Sequence, residues 1–134
     1  MGVLIDTSVI IDFERNKRDI TPFIRDKTDE EFFLSVISAS EFLHGVHRAK
    51  DPGIRSRRLA FVEAVLNTFP IIHIDLPTAR IHAELWSHLE SQGKMIGLHD
   101  SWLAAICLAH NLSFITKNKR EFDRVPGLEV ETWI

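Results

Sequence analysis

The stretch "MIGLHDSWLAAICLAHNLSFIT", residues 95–116, carries a single acid, Asp100, among side chains suited to an interior: Ile96, Leu98, Trp102, Leu103, Ile106 and Leu108. A carboxylate in such a setting requires a compensating partner or ligand. Two further acids stand in comparable places. Asp6 ends the short apolar run "VLID" (3–6), and Glu41 follows the β-rich run "FFLSVIS" (32–38), early in the helical pattern "ASEFLHGVHRA" (39–49). Three carboxylates brought together repel, and one takes up a proton unless a cation lies between them. Hard oxygen donors favour Mg2+ or Mn2+ over zinc, and Mg2+ keeps several waters beside one or two carboxylates. Such a site neutralises a phosphate and activates a bound water, which suits phosphodiester hydrolysis. Each acid also has a purely structural explanation. Asp6 and Asp100 can serve as helix N-caps, and "SASE" (38–41) fits a capping box with Ser38 as cap and Glu41 reaching back.

The elements that must position these acids follow from hydrophobic periodicity. Strands are expected at 3–6, 32–38, 71–74, 113–116 and 129–133. Helices are expected in "TSVIIDFER", around Phe23 and Ile24, and over 39–49. Residues 52–69 read as an amphipathic helix beginning at Pro52, residues 77–93 as one opened by Pro77 and closed by Gly93, and residues 99–111 as one stopped near Asn111. Strands alternating with helices, several of them apolar throughout, predict an α/β fold with a parallel sheet covered on both faces. In a parallel sheet the strand ends and the following helix starts share one edge, where ligands bind. Asp6, Glu41 and Asp100 should therefore meet there.

The 134 residues form one expected domain, 1–134, long enough to bury a core. A composition of 45% hydrophobic and 26% charged residues reads as soluble and globular. No apolar run approaches the roughly 20 residues of a membrane span. The opening "MGVLIDTSVIIDF" lacks a basic lead and places Asp6 where a signal peptide is apolar, so a cytoplasmic location is expected. Cys107, the lone cysteine, excludes an intramolecular disulfide and a multi-cysteine zinc site. Glu41 and His44 have the spacing of a di-iron helix pair, but that site needs a second such pair on a helical bundle. A net charge of −3 argues against indiscriminate coating of nucleic acid, yet basic residues cluster in "ERNKR", "HRAKDPGIRSRR" and "TKNKREFDR". Local phosphate contacts are the chemistry those clusters offer.

The blocks "VLIDTSVIIDF", "ISASEFLHGV" and "IGLHDSWLAAICLAHNLSFITKNKREFDRVPGLEVETW" resemble the motifs of PIN-domain ribonucleases, most closely the VapC toxin branch of toxin–antitoxin pairs. The resemblance runs in order along the whole chain. It implies a PIN-like α/β/α sandwich with a sheet of about five parallel strands. It further implies Asp6, Glu41 and Asp100 as the catalytic metal site for Mg2+, with Mn2+ able to substitute. The implied activity is endonucleolytic cleavage of RNA that inhibits translation, by a homodimer silenced by a cognate VapB-type antitoxin. Thr7 and Thr116 resemble family positions whose hydroxyls hold the acids or waters. The family often carries a fourth acid in the "TKNKREF" region. Here the residue after "TK" is the neutral Asn118, with Glu121 and Asp123 close behind. If Glu121 points away, three formal negative charges remain and one firmly held ion is expected. Arg57, Arg58, Lys119 and His99 are candidate RNA contacts. The alternative is a non-catalytic PIN-like module that keeps the acids to bind protein or RNA.

Overall fold

Val3, Leu4 and Ile5 are fully buried, as expected of a strand covered on both faces, and form the end of β1 (Gly2–Ile5) at the centre of the sheet. The computed structural model describes residues 2–25 and 29–133. Along the chain, β1 is followed by α1 (Thr7–Arg15), α2 (Thr21–Arg25), β2 (Glu31–Ser35), α3 (Val36–Arg48) and α4 (Pro52–Thr68). The second half comprises β3 (Ile71–Ile72), α5 (Leu76–Ser91), α6 (Leu98–His110), β4 (Leu112–Ile115), α7 (Lys119–Phe122) and β5 (Val130–Glu131).

The five strands lie in the order β3-β2-β1-β4-β5, and every pairing is parallel. Leu4 lies level with Phe33 on β2 and Phe114 on β4, and Ile5 with Ile115. Asp6 and Thr116 therefore leave the sheet side by side at its carboxyl edge, where the Asp6 N–H donates to the Ile115 carbonyl at 2.9 Å.

Alternation along β1 divides the interior. Val3 and Ile5 face Val9, Ile10 and Phe13 of α1, Phe42 and Val46 of α3, and Val62 and Val65 of α4. Leu4 faces Leu85 and Leu89 of α5, Leu103 and Ile106 of α6, and Phe122 of α7. The result is the expected α/β/α sandwich, with five parallel strands between two helical layers. Trp133 closes the first layer, its ring 5.8 Å from Phe23 and 5.7 Å from Phe32.

Four local expectations need correction. The second strand stops at Ser35, and residues 36–38 already belong to α3. The cap of α3 is Ser35 rather than Ser38: the Ser35 hydroxyl accepts the Ser38 N–H at 3.0 Å, which starts the helix earlier. Glu41 therefore lies beyond the first turn and takes no part in a capping box. The third strand is confined to Ile71–Ile72, because only these residues pair with β2. Helix α4 buries apolar residues only in its second half, at Val62 and Val65, while Ile54 and Leu59 remain exposed. Ser35→Ala should lower unfolding free energy by about 1 kcal/mol in a urea titration. A larger loss from Ser38→Ala would return the cap to residue 38.

Candidate active site

Asp6 directly follows β1, is 5% exposed, and stands at the N-cap position of α1 without making a side-chain cap bond. Its Oδ2 instead accepts two hydroxyls, Ser8 Oγ at 2.8 Å and Thr116 Oγ1 at 2.7 Å. The Thr7 hydroxyl lies between two acids, 3.4 Å from Asp6 Oδ1 and 3.1 Å from Glu41 Oε2. Thr116 in turn accepts the Asn118 N–H at 3.0 Å, and Ser8 accepts the Lys117 N–H at 3.2 Å. The turn after β4 is thus fastened to the turn after β1 through the side chains that surround Asp6.

Asp100 lies in the first turn of α6, whose N-cap is Gly97, so it too is not a capping residue. Its carboxylate folds back over the helix start: a Cβ placed on Gly97 would lie 3.4 Å from Asp100 Oδ2. Gly97 leaves that space open, and its N–H donates to Glu121 Oε1 at 3.2 Å. This contact brings the Glu121 carboxylate beside Asp100.

The clustering has an electrostatic signature. Burial pushes the Asp100 carboxyl up to about 7, and the negative charges of Glu121, Asp6 and Glu41 add to the effect. Glu41 is also raised, first by burial and then by Asp6, against the Thr7 hydroxyl and His99, which favour its ionised form. His99 Nδ1 stands 3.6 Å from Glu41 Oε1. Such repulsion is relieved either by a proton, which Asp100 takes readily, or by a divalent cation. The donors are all carboxylates, as a hard cation prefers. Among the described residues no three His, Cys, Asp or Glu side chains already enclose a common point. The acids share one edge without forming a closed coordination shell.

Sequence reasoning placed Asp6, Glu41, Asp100, Thr7 and Thr116 together, and the structure brings all of them to this edge. The further carboxylate beside Asp100 is that of Glu121, whereas Asn118 contributes its backbone N–H to Thr116. The condition for only three charges, Glu121 pointing away, is not met, because its carboxylate lies beside Asp100. Asp123 is paired elsewhere, with both its oxygens 2.9 Å from Lys119 Nζ. Ser8 was not anticipated as a site residue. Its only sequence signal is a hydroxyl two residues after Asp6.

Among the candidate RNA contacts, Arg57 and Arg58 are exposed on α4. Arg58 lines a cleft of about 310 Å3 together with Arg15, Arg48, Phe42, Phe61 and Glu41. Lys119 lines a second groove with Lys117, Arg120, Arg124 and Glu121. Arg55 is committed to structure, donating to the Ala49 carbonyl at 2.9 and 2.7 Å and so closing the end of α3. Lys117 pairs with Asp12 at 2.7 Å. That hydrogen bond, with the nearby charges of Lys117 and Arg18, holds the Asp12 carboxyl below the usual range.

The PIN domain model matches residues 3–128, and the chain belongs to the PIN-domain family. Within that family its relatives are VapC ribonucleases. Ribonuclease VapC1 of Rickettsia felis is 35% identical over 132 residues, covering 98% of this chain and 96% of that protein. Ribonuclease VapC of Rickettsia bellii is 32% identical over 132 residues, with the same coverage of 98% and 96%. The DNA-bound VapBC structure from Salmonella typhimurium aligns with a TM-score of 0.89 at 26% identity, over 100% of this chain and 99% of that one.

In divalent-free buffer the Asp100 carboxyl should titrate near 7 rather than at the ordinary 3.8, as followed by carbon-detected NMR. The raised value means that the folded state holds this proton more tightly than the unfolded state. The stability it confers is present below pH 3.8 and is lost as pH rises through about 7. Glu121→Gln should move the titration downward; a parent value near 4 would show that these acids do not interact.

Proposed function

We propose that the protein is an Mg2+-dependent endoribonuclease that hydrolyses RNA phosphodiester bonds, inhibits translation as a toxin, and is silenced by a VapB-type antitoxin. The observation that carries this reading is the convergence of Asp6, Glu41, Asp100 and Glu121 at the carboxyl edge of the sheet, with Asp6 fixed by the Ser8 and Thr116 hydroxyls. The VapC ribonucleases among its relatives support the same activity.

Mg2+, or Mn2+ in its place, would be held by Asp6, Glu41 and Asp100 with Glu121 as a further carboxylate, and when bound supplies phosphate neutralisation and a more acidic water. The chain's own residues do the rest. Ser8 and Thr116 hold the Asp6 carboxylate in one orientation, and Thr7 keeps Glu41 turned toward it. The N-termini of α1 and α6 favour negative charge at this edge. On this reading Arg58, which lines a cleft with Glu41, and Lys119, which lines a groove with Glu121, hold the RNA backbone, together with His99 beside Glu41 and Arg57 on α4.

The antitoxin is expected to set an Arg or Lys against the acids, since a guanidinium fork matches carboxylates in pairs. Its apolar side chains fit the cleft bordered by Phe42, Phe61 and Val62. A VapBC complex among the matching structures supports such a partner. The reading includes a homodimer acting in the cytoplasm. Among the described residues no helix is long and apolar enough to cross a membrane.

Asp6→Asn and Asp100→Asn should each reduce RNA cleavage by about two orders of magnitude or more while circular dichroism stays parental. Parental cleavage by both variants would remove the metal site. RNA left intact by the parent in Mg2+, with antitoxin binding retained, would instead establish the non-catalytic module. Charge removal at Arg57, Arg58 or Lys119 should flatten the salt dependence of RNA affinity by about 0.7 in log–log slope per lost phosphate contact. An unchanged slope in all three would assign them to solubility.

A further inference from the structure

The helix that presents Asp100 begins without a side-chain cap. Gly97 has no side-chain oxygen to offer the free N–H groups of α6, and Leu98 beside it is 57% exposed. Two attachments hold this turn. One is Glu121, which accepts the Gly97 N–H from α7. The other reaches it from α5.

His82 on α5 is 9% exposed, and its Nε2 lies 2.9 Å from the Ser101 hydroxyl. Ser101 is fully buried and directly follows Asp100. Its hydroxyl also lies 2.6 Å from the Leu98 carbonyl, an oxygen that can only accept, so the hydroxyl proton points there. The lone pair of Ser101 then faces His82, which must supply an Nε2–H. The hydrogen-bond network alone thus assigns the tautomer. The imidazole ring is also held by two indoles. Trp102 stacks on it at 3.7 Å with the planes 6° apart, and the Trp86 ring lies 5.7 Å away with the planes 24° apart. Trp86 and His82 are four residues apart on one face of α5, and Trp102 is the residue after Ser101.

We propose that His82 is a positioning residue for the reaction: its Nε2–H, through Ser101 to the Leu98 carbonyl, locks the first turn of α6 and thereby the direction in which Asp100 presents its carboxylate. A buried donor stacked with two indoles and 2.9 Å from a hydroxyl in the turn that carries an acid is more than a packing contact, because an apolar ring of the same size would stack equally well. Metal-ligand supports of this kind are worth about ten- to a hundred-fold in affinity or activity. The proposal rests on Asp100 being a metal ligand.

The test separates the ring from the proton. His82→Phe keeps a stacking ring and loses the donor; His82→Gln loses the ring and keeps an N–H of similar reach. Ser101→Ala removes the relay with little change of volume. Each purified full-length variant is assayed by calorimetry with Mn2+, by steady-state RNA cleavage, and by hydrogen exchange of the α6 amides in divalent-free buffer, with Asp100→Asn as the reference. His82→Phe and Ser101→Ala should weaken Mn2+ binding and lower kcat by about ten-fold or more, with KM for RNA nearly unchanged. They should also speed exchange selectively in the first turn of α6. The double variant should be no worse than either single one, and His82→Gln should recover most of the loss. His82→Phe matching the parent in Mn2+ affinity and kcat, while Asp100→Asn loses both, would overturn the proposal and leave the metal site standing. A uniform loss of stability in which Gln fares as badly as Phe would also overturn it, assigning His82 to packing. Mn2+ binding that survives Asp100→Asn would overturn the metal-site reading and this proposal with it.

Discussion

Burying a carboxylate at the end of a central strand is the constraint on which this structure is organised. Asp6 emerges from a run of fully buried residues and is itself shielded from solvent, so its oxygens must find donors within the fold. They find hydroxyls: Ser8 from the helix that starts there and Thr116 from the neighbouring strand end, with Thr7 placed between Asp6 and Glu41. These contacts exist only because β1 and β4 are parallel and end level with one another. Parallel order and register thus determine where the chemistry can occur.

Around that fixed acid the other carboxylates are delivered by helices. Glu41 rides on α3 from one layer of the sandwich, and Asp100 on α6 from the other. Each helix is set by its own buried stripe, Phe42 and Val46 for α3, Leu103 and Ile106 for α6. The acids meet because two separate cores are packed against the same sheet. Burial first, and then repulsion from Glu121, Asp6 and Glu41, raises the Asp100 carboxyl and disfavours full ionisation of the cluster at neutral pH. A site that binds a cation has this character, since tight pairing of the acids within the protein would leave nothing for the ion to gain.

Charge is distributed to the same end. The chain is mildly acidic overall, yet basic side chains border the acids in two grooves, one below α4 and one along α7. Some arginines and lysines are committed to structure, as Arg55 is to the end of α3 and Lys117 is to Asp12, whereas Arg58, Arg15 and Arg48 line the cleft that Glu41 borders. Surface ion pairs such as Lys119 with Asp123 are weak enough to be exchanged for a phosphate.

The fold class was legible because apolar runs of strand length alternating with helical periodicity admit few arrangements other than a covered parallel sheet. Asp6 and Glu41 were legible as acids that follow strands, and Asp100 as an acid opening the helix that leads into β4. The sequence could not say which neighbour satisfies each oxygen. The cap of α3 moved to Ser35 because a buried hydroxyl reached an amide that local pattern assigned to the strand. Glu121 brought the further carboxylate beside Asp100 because α7 turns it toward Gly97, a contact between residues 24 apart in sequence. Ser8 gained its place through a backbone N–H 109 residues away and His82 through a side chain 19 residues away. Periodicity and composition are local properties and determine which elements form and which face is buried. The partner of a buried polar atom depends on distances across packed elements, and only the tertiary structure decides it.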